Sequence, residues 1–415
     1  MKPEARRRPR TTALTRTSNH PSLRRVTAVV LAGGASRRFA PDKLGESVEG
    51  QPLLDRTLAS LPEQMRVVVV GSVRKVARPV IFTSEDPPGG GPAAGLVAGV
   101  RRALAESADV IVVLPGDAPL GGQAAATLLS RLEDEPGAQA VVGIDAHGRE
   151  QPLQLALRPA AAEALAAAAG PGGAAGVSAR RLLDALRPGL LSHELPPAQL
   201  WDIDTPDQLL AWQLQSSAAV SSILDLAGQR AAKVDRPVVI AIDGPSCAGK
   251  SILATAVALR SGATVLEGDD FYRNTLPRLA PSQREAMPDA AVVDALIDWE
   301  RLRDQALLPL RARESATFQP YDWDADDGQL APPKTLPTAD LIIVVGVYAA
   351  RPELTKLVDA AVYLDVDPQA RTRRYAEREN DPNWMHFLER GEAYYFSAVR
   401  PPASFDLQLD DRDLS

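Results

Sequence analysis

Short apolar runs rich in β-branched residues alternate along this chain with longer stretches of helical periodicity. The run Arg25–Leu31 (RVTAVVL) reads as a buried strand stopped by Gly33-Gly34. Further short runs follow at Met65–Val70, Val80–Thr83 and Asp109–Leu114. Helical patterns lie between them at Leu53–Leu61, Ala93–Ala105 and Gln123–Leu132, and the alanine-rich Ala160–Ala169 ends at Gly170-Pro171-Gly172-Gly173. Trp201–Pro206 reads as a strand exit, with a helix from Asp207. A fresh strand, Pro237–Ile242, then opens a second series with Thr264–Leu266, Leu341–Val345 and Ala360–Leu364. Strands alternating with helices predict an α/β fold built on mainly parallel sheets.

At 415 residues the chain is long for one core, so the pattern divides into two α/β domains. The expected segments are a basic, solvated tail over 1–25, a first domain over 26–212, a linker or leading helix over 213–235, and a second domain over 236–415. Both domains are expected to be three-layer α/β/α sandwiches. The net charge of −7 gives no reason to expect nucleic-acid binding by the folded body. Residues 1–25 lack the apolar stretch of a secretory signal, and no run is long enough to span a membrane. The single cysteine, Cys247, excludes an internal disulfide, and the four histidines have no metal-ligand spacing. A cytoplasmic location is the expectation.

Two glycine-rich phosphate-handling motifs stand out. The first is Leu31-Ala32-Gly33-Gly34-Ala35-Ser36-Arg37-Arg38 with Asp42-Lys43. A strand running into paired glycines lets backbone N–H groups approach a nucleotide, and Lys43 offers a mobile positive charge. A tight turn is the plainer alternative. A second glycine-rich loop, Asp86–Pro92, and Gly116-Asp117-Ala118-Pro119 would line the same sheet edge. Asp117 suits Mg²⁺, which takes one or two carboxylates beside phosphate oxygens; a helix N-cap is its alternative role.

Together these residues resemble the molybdenum cofactor guanylyltransferase family over residues 26–212. The resemblance implies a nucleotide-diphospho-sugar-transferase-like, Rossmann-like fold. It implies transfer of GMP from GTP to molybdopterin, and molybdoenzyme maturation factors as partners. Leu31, Ala32, Gly33, Gly34, Ser36, Arg38 and Asp86 would hold the nucleotide, Lys43 its phosphates, and Asp117 the Mg²⁺. Three positions depart from the family pattern. Ala40 stands where glycine is usual, and Asp202 and Asp204 stand where asparagine is usual. Asp204 is thereby a further candidate metal ligand. Gly33 favours the guanylyl over the cytidylyl branch; CTP, or a sugar-phosphate acceptor, is the alternative. Gln151-Pro152-Leu153 lies where pterin contacts are expected, or simply leads from a loop into a strand.

The second motif, Gly244–Ser251 (GPSCAGKS), fits G-x-x-x-x-G-K-[ST] after a strand and before a helix at Ile252–Leu259. Such a loop wraps the β-phosphate; Lys250 reaches the β/γ oxygens and Ser251 the Mg²⁺. Cys247 within it is either a reactive thiol or a small packed side chain. Downstream stand Glu267–Arg273 (EGDDFYR), Tyr321-Asp322-Trp323, Gly346–Ala349, and Arg371, Arg374 and Arg378 at i, i+3 and i+7. That spacing puts three guanidinium groups on one helix face, as a lid or as a solvated basic stripe.

As a set these resemble the uridine kinase and phosphoribulokinase branch of P-loop kinases over residues 220–410. The resemblance implies ATP and a small hydroxyl substrate such as a nucleoside. Gly244, Ser246, Gly249 and the three arginines would bind the nucleotide, and Asp269 would accept the substrate's proton. Val345 stands where that family has glutamate, so a nucleotide-binding regulatory or docking module is the alternative.

Overall fold

The computed structural model describes residues 26–33, 42–146, 148–170, 174–276, 279–325, 327–378 and 381–414. The basic segment 1–25 and the motif residues Gly34, Ser36, Arg38 and Ala40 lie outside the described residues, as does the side chain of Arg378. Among the described residues, no helix is long and apolar enough to cross a membrane.

The first sheet is built from β1 (Val26–Leu31), β4 (Arg66–Val70), β5 (Ile81–Thr83), β6 (Val110–Pro115), β7 (Ala140–Ile144), β8 (Glu150–Leu157) and β9 (Leu190–Glu194). A two-stranded ribbon, β2 (Ser47–Val48) with β3 (Gln51–Pro52), lies beside it in sequence. The order is β5-β4-β1-β6-β8-β7-β9. All pairs are parallel except those of β8, which runs antiparallel to both β6 and β7. Gln151–Leu153 are strand residues within β8, not a loop leading into it.

Helices cover both faces because alternate strand residues point to opposite sides. Val29, Val68 and Val113 pack with Leu96 and Val100 of helix Pro92–Ala105 and with Leu165. Val30, Val69 and Val112 pack with Leu54 and Leu58 of helix Leu53–Ala59 and with Leu128 of helix Gly121–Asp134. Each such fully buried side chain stabilises by roughly 1.5–3 kcal/mol relative to exposure.

The second sheet is wholly parallel: β10 (Val238–Asp243), β11 (Thr264–Glu267), β14 (Leu341–Val345), β15 (Ala360–Leu364) and β16 (Leu407–Leu409), in the order β11-β14-β10-β15-β16. A second ribbon pairs β12 (Ala316–Phe318) with β13 (Lys334–Leu336). The stretch read as linker or helix is helix Ala218–Ala231, N-capped by Ser217. Its Ala219, Val220, Ile223 and Ala227 are buried with Val238, Ile240 and Ile242. The segment read as a strand exit, Trp201–Pro206, holds no strand; the Ile203 N–H donates to the Asp117 carbonyl. A capping box follows. Thr205 Oγ1 accepts from the Gln208 N–H, and Gln208 Oε1 accepts from the Thr205 N–H, starting helix Pro206–Leu214.

Candidate functional site

The first site forms where β1 and β6 end. Leu31 lies opposite both Val70 and Pro115 in register, and its carbonyl accepts from the Gly116 N–H at 2.8 Å. A side chain at 116 would meet the Leu31 carbonyl at 2.9 Å, so glycine is what lets the two loops touch. Thr57, fully buried in helix Leu53–Ala59, donates to the Gly116 and Ala118 carbonyls and pins the loop between them. The carboxylate of Asp117 is therefore fixed at the strand ends. It is not an N-cap, since helix Gly121–Asp134 begins after Leu120.

Lys43 Nζ donates to Asp117 Oδ2 at 2.5 Å and to Asp204 Oδ1 at 2.8 Å. Burial works against the charge on Lys43, but the two carboxylates outweigh it and hold its pKa above the usual lysine value. Asp204 is itself set by the capping box, its N–H donating to Gln208 Oε1. Asp202 joins this group electrostatically. Its carboxyl is pushed up to about 8 by burial, and further by the negative charge of Asp117 and Asp204, with Lys43 opposing. Among the described residues its buried Oδ1 has no hydrogen-bond partner. Asp86 lines a cavity of about 330 Å³ with Arg101 and Arg102, and no described hydrogen bond joins it to Lys43 or Asp117.

The state of Asp202 has a measurable consequence. Its folded pKa is raised above an unfolded value near 4, so the folded chain holds more protons than the unfolded chain between about pH 4 and 8. Stability should then fall as pH rises through that window, by at most about 1.4 kcal/mol per pH unit from this group. Asp202→Asn is expected to flatten that decline in denaturant melts in magnesium-free buffer. Parallel pH profiles for variant and wild type would contradict it.

The second site surrounds the loop between β10 and helix Lys250–Ser261. Gly244 has φ +145°, and a Cβ there would stand 2.2 Å from the Leu364 carbonyl oxygen. Gly249 takes the left-handed conformation that starts the helix. Lys250 Nζ donates to the Gly244 and Pro245 carbonyls at 2.9 and 2.7 Å. Ser251 Oγ lies 3.5 Å from Glu267 Oε2, at the end of β11. Burial, and then Asp269 and Asp270, push the Glu267 carboxyl up to about 7. Glu267 lies opposite Val345 in register, so a neighbouring strand supplies a carboxylate beside the position where glutamate was expected. Asp269 sits in the turn Gly268–Phe271 that follows.

Arg371 Nε donates to the Ser246 carbonyl and Arg374 Nη1 to the Cys247 carbonyl, so both face the loop rather than forming a solvated stripe. Sequence reasoning missed two residues here, Asp243 and Glu392. Buried Asp243 accepts from the N–H groups of Gly244, Tyr348 and Ala350 and from the Tyr395 hydroxyl, tying the loop to the Gly346–Ala349 turn. Glu392 reaches the loop from helix Pro382–Tyr394. Trp323 is half exposed and packs at a steep angle against Tyr272 and edge-on against Tyr321 at centroid distances of 4.9 and 4.7 Å, an aromatic wall beside the Asp269 turn. The identity of Asp243, just before the glycine loop, was a usable signal; nothing marked Glu392.

Lys43, Asp117 and Asp204 thus meet beside the ends of β1 and β6. The family profile for the MobA-like NTP transferase domain matches residues 28–189. A molybdenum cofactor guanylyltransferase of Acidiphilium cryptum is 36% identical over 151 residues, 35% of this chain and 73% of that protein. The chain belongs, through this N-terminal region, to the molybdenum cofactor guanylyltransferase family. Among solved structures, the molybdopterin-guanine dinucleotide biosynthesis protein A of Archaeoglobus fulgidus is 21% identical, covering 45% of this chain and 96% of its own, with a TM-score of 0.36. A possible uridine kinase from Bacillus stearothermophilus is 23% identical, covering 46% of this chain and 100% of its own, with a TM-score of 0.34.

Proposed function

We propose that the N-terminal region transfers GMP from GTP to molybdopterin. The observation that carries this is Lys43 held between Asp117 and Asp204 at the ends of β1 and β6, in a region that belongs to the guanylyltransferase family. A terminal phosphate oxygen of the pterin attacks the α-phosphorus of GTP; the bond from that phosphorus to the β-phosphate oxygen breaks, and pyrophosphate leaves. No protein nucleophile is needed. Lys43 offers its ammonium to the phosphates and stabilises charge on the departing pyrophosphate. Asp117 and Asp204 would hold Mg²⁺. The donor type fits, since Mg²⁺ takes one or two carboxylates beside phosphate oxygens. When bound, Mg²⁺ supplies charge neutralisation to the phosphates.

The second sheet is read as an ATP-dependent kinase unit for a small hydroxyl compound. Supporting this are the wrapped loop at Gly244–Ser251, the arginines of helix Pro368–Arg378 over it, and the aromatic wall beside Asp269. Asp269 would take the hydroxyl proton as the oxygen attacks the γ-phosphorus. Ser251 would help hold Mg²⁺. The apolar Val345 favours a second reading, a nucleotide-binding module without turnover. Phosphorylation of nucleosides and other hydroxyl compounds by the full chain separates the two. Turnover that falls at least about 100-fold in Asp269→Asn supports the kinase; absence of turnover in the wild type, with ATP still bound, supports the module.

A further inference from the structure

We infer that Glu392 is a latch across the phosphate loop of the second site, which a nucleotide must expel in order to bind. The inference rests on the reading of Gly244–Ser251 as a nucleotide loop.

Backbone N–H groups and hydroxyls of such a loop form a cradle for anions. Here the chain places its own anion in the cradle. Glu392 Oε1 accepts from the Ser246 N–H at 2.9 Å and from the Ser246 hydroxyl at 2.6 Å. Its other oxygen, Oε2, accepts from Arg371 Nη2 at 2.6 Å. Arg371 in turn bonds the Ser246 carbonyl. Glu392 is only 3% exposed, so these partners are what offset the burial of its carboxylate.

The helix that carries Glu392 does not depend on this contact. Arg390 ties it to Asp289 and to the Glu285 carbonyl. Gly391 lies flush against Val292 and the Tyr348 hydroxyl. Trp384 stacks on Phe387 and reaches Tyr272. The Tyr395 hydroxyl, one residue past the helix, bonds Asp243. The carboxylate is thus an addition to a helix already fixed on its other sides.

A triphosphate seeks the same two partners, the loop's donors and the Arg371 guanidinium. Two anions cannot share them, because a phosphate entering beside Glu392 would meet a like charge in a poorly solvated site. Binding must therefore exchange carboxylate for phosphate. Apparent affinity is reduced by the fraction of molecules with the latch open. Expulsion of Glu392 also frees Arg371 to close on the phosphate.

The test is calorimetric titration of ATP into the full chain, with Lys250→Ala identifying the binding that belongs to this loop. Glu392→Gln keeps the shape and removes the charge. It is expected to bind ATP about tenfold more tightly than wild type. Glu392→Asp, a methylene too short to span the contact, is expected to bind more tightly also, and serves if the glutamine variant fails to fold. Equal or weaker binding in the folded variants would overturn the latch and make Glu392 a positioning residue for Arg371 or for the loop. If neither wild type nor variants bind ATP, the nucleotide-loop reading itself falls, and the latch with it.

Discussion

Asp117→Ala is expected to lower formation of the guanine dinucleotide by about 100- to 1,000-fold, the usual effect of losing one preorganised charge-stabilising group. Two contributions disappear together. The carboxylate that would hold Mg²⁺ at the strand ends is gone, and Lys43 keeps only the exposed Asp204 as partner. The lysine is then free to leave the position from which it reaches the phosphates. The backbone around residue 117 should persist, because Thr57 still bonds the Gly116 and Ala118 carbonyls and the Leu31–Gly116 bond involves no side chain. The loss should therefore fall on turnover and leave melting little changed. Pyrophosphate release with GTP and molybdopterin measures it. Undiminished turnover in Asp117→Ala would remove Asp117 from the site.

Lys250→Ala is expected to weaken ATP binding by about 10- to 100-fold, the value of one charge-assisted contact, and to leave guanylyl transfer intact. Lys250 is fully enclosed, and burial lowers its pKa below the usual lysine value. Its ammonium spans the loop through the Gly244 and Pro245 carbonyls, so the alanine variant loses both the charge and a brace. The Lys43–Asp117 pair and the Gly244–Ser251 loop stand at the strand ends of different sheets, and no described hydrogen bond joins them, which is why an effect at one should not reach the other. Titration with ATP and the pyrophosphate assay, on one preparation, check both halves. Loss of guanylyl transfer in Lys250→Ala would show the two sites to be coupled.

What the sequence made legible was local. The glycine loops, Lys43, Asp117 and the strands Val26–Leu31 and Val238–Asp243 each announce themselves within a few residues. The leading helix over 218–231 was readable as one of two alternatives, because its buried positions follow helical spacing among small residues. What escaped was long-range. Thr57 bonds a carbonyl 59 residues away, and Glu392 reaches Ser246 across 146 residues; no spacing rule links such partners. The segment read as a strand exit, Trp201–Pro206, instead carries the Thr205–Gln208 capping box, which sets Asp204 beside Lys43. The antiparallel β8 was missed for a related reason: burial of strand residues does not reveal direction, and only pairing partners do. Glu267 beside Val345 shows a similar substitution in space, where one strand lacks an expected carboxylate and its neighbour presents one.

The most direct test of the central claim is product analysis with the full chain, Mg²⁺, freshly prepared molybdopterin, and GTP or CTP. Formation of the guanine dinucleotide with release of pyrophosphate, strongly reduced in Asp117→Ala, is the expected result. A cytosine product, or no dinucleotide from folded protein with either nucleotide, would contradict it and turn attention to Asp202 and Asp204 as determinants of a different acceptor.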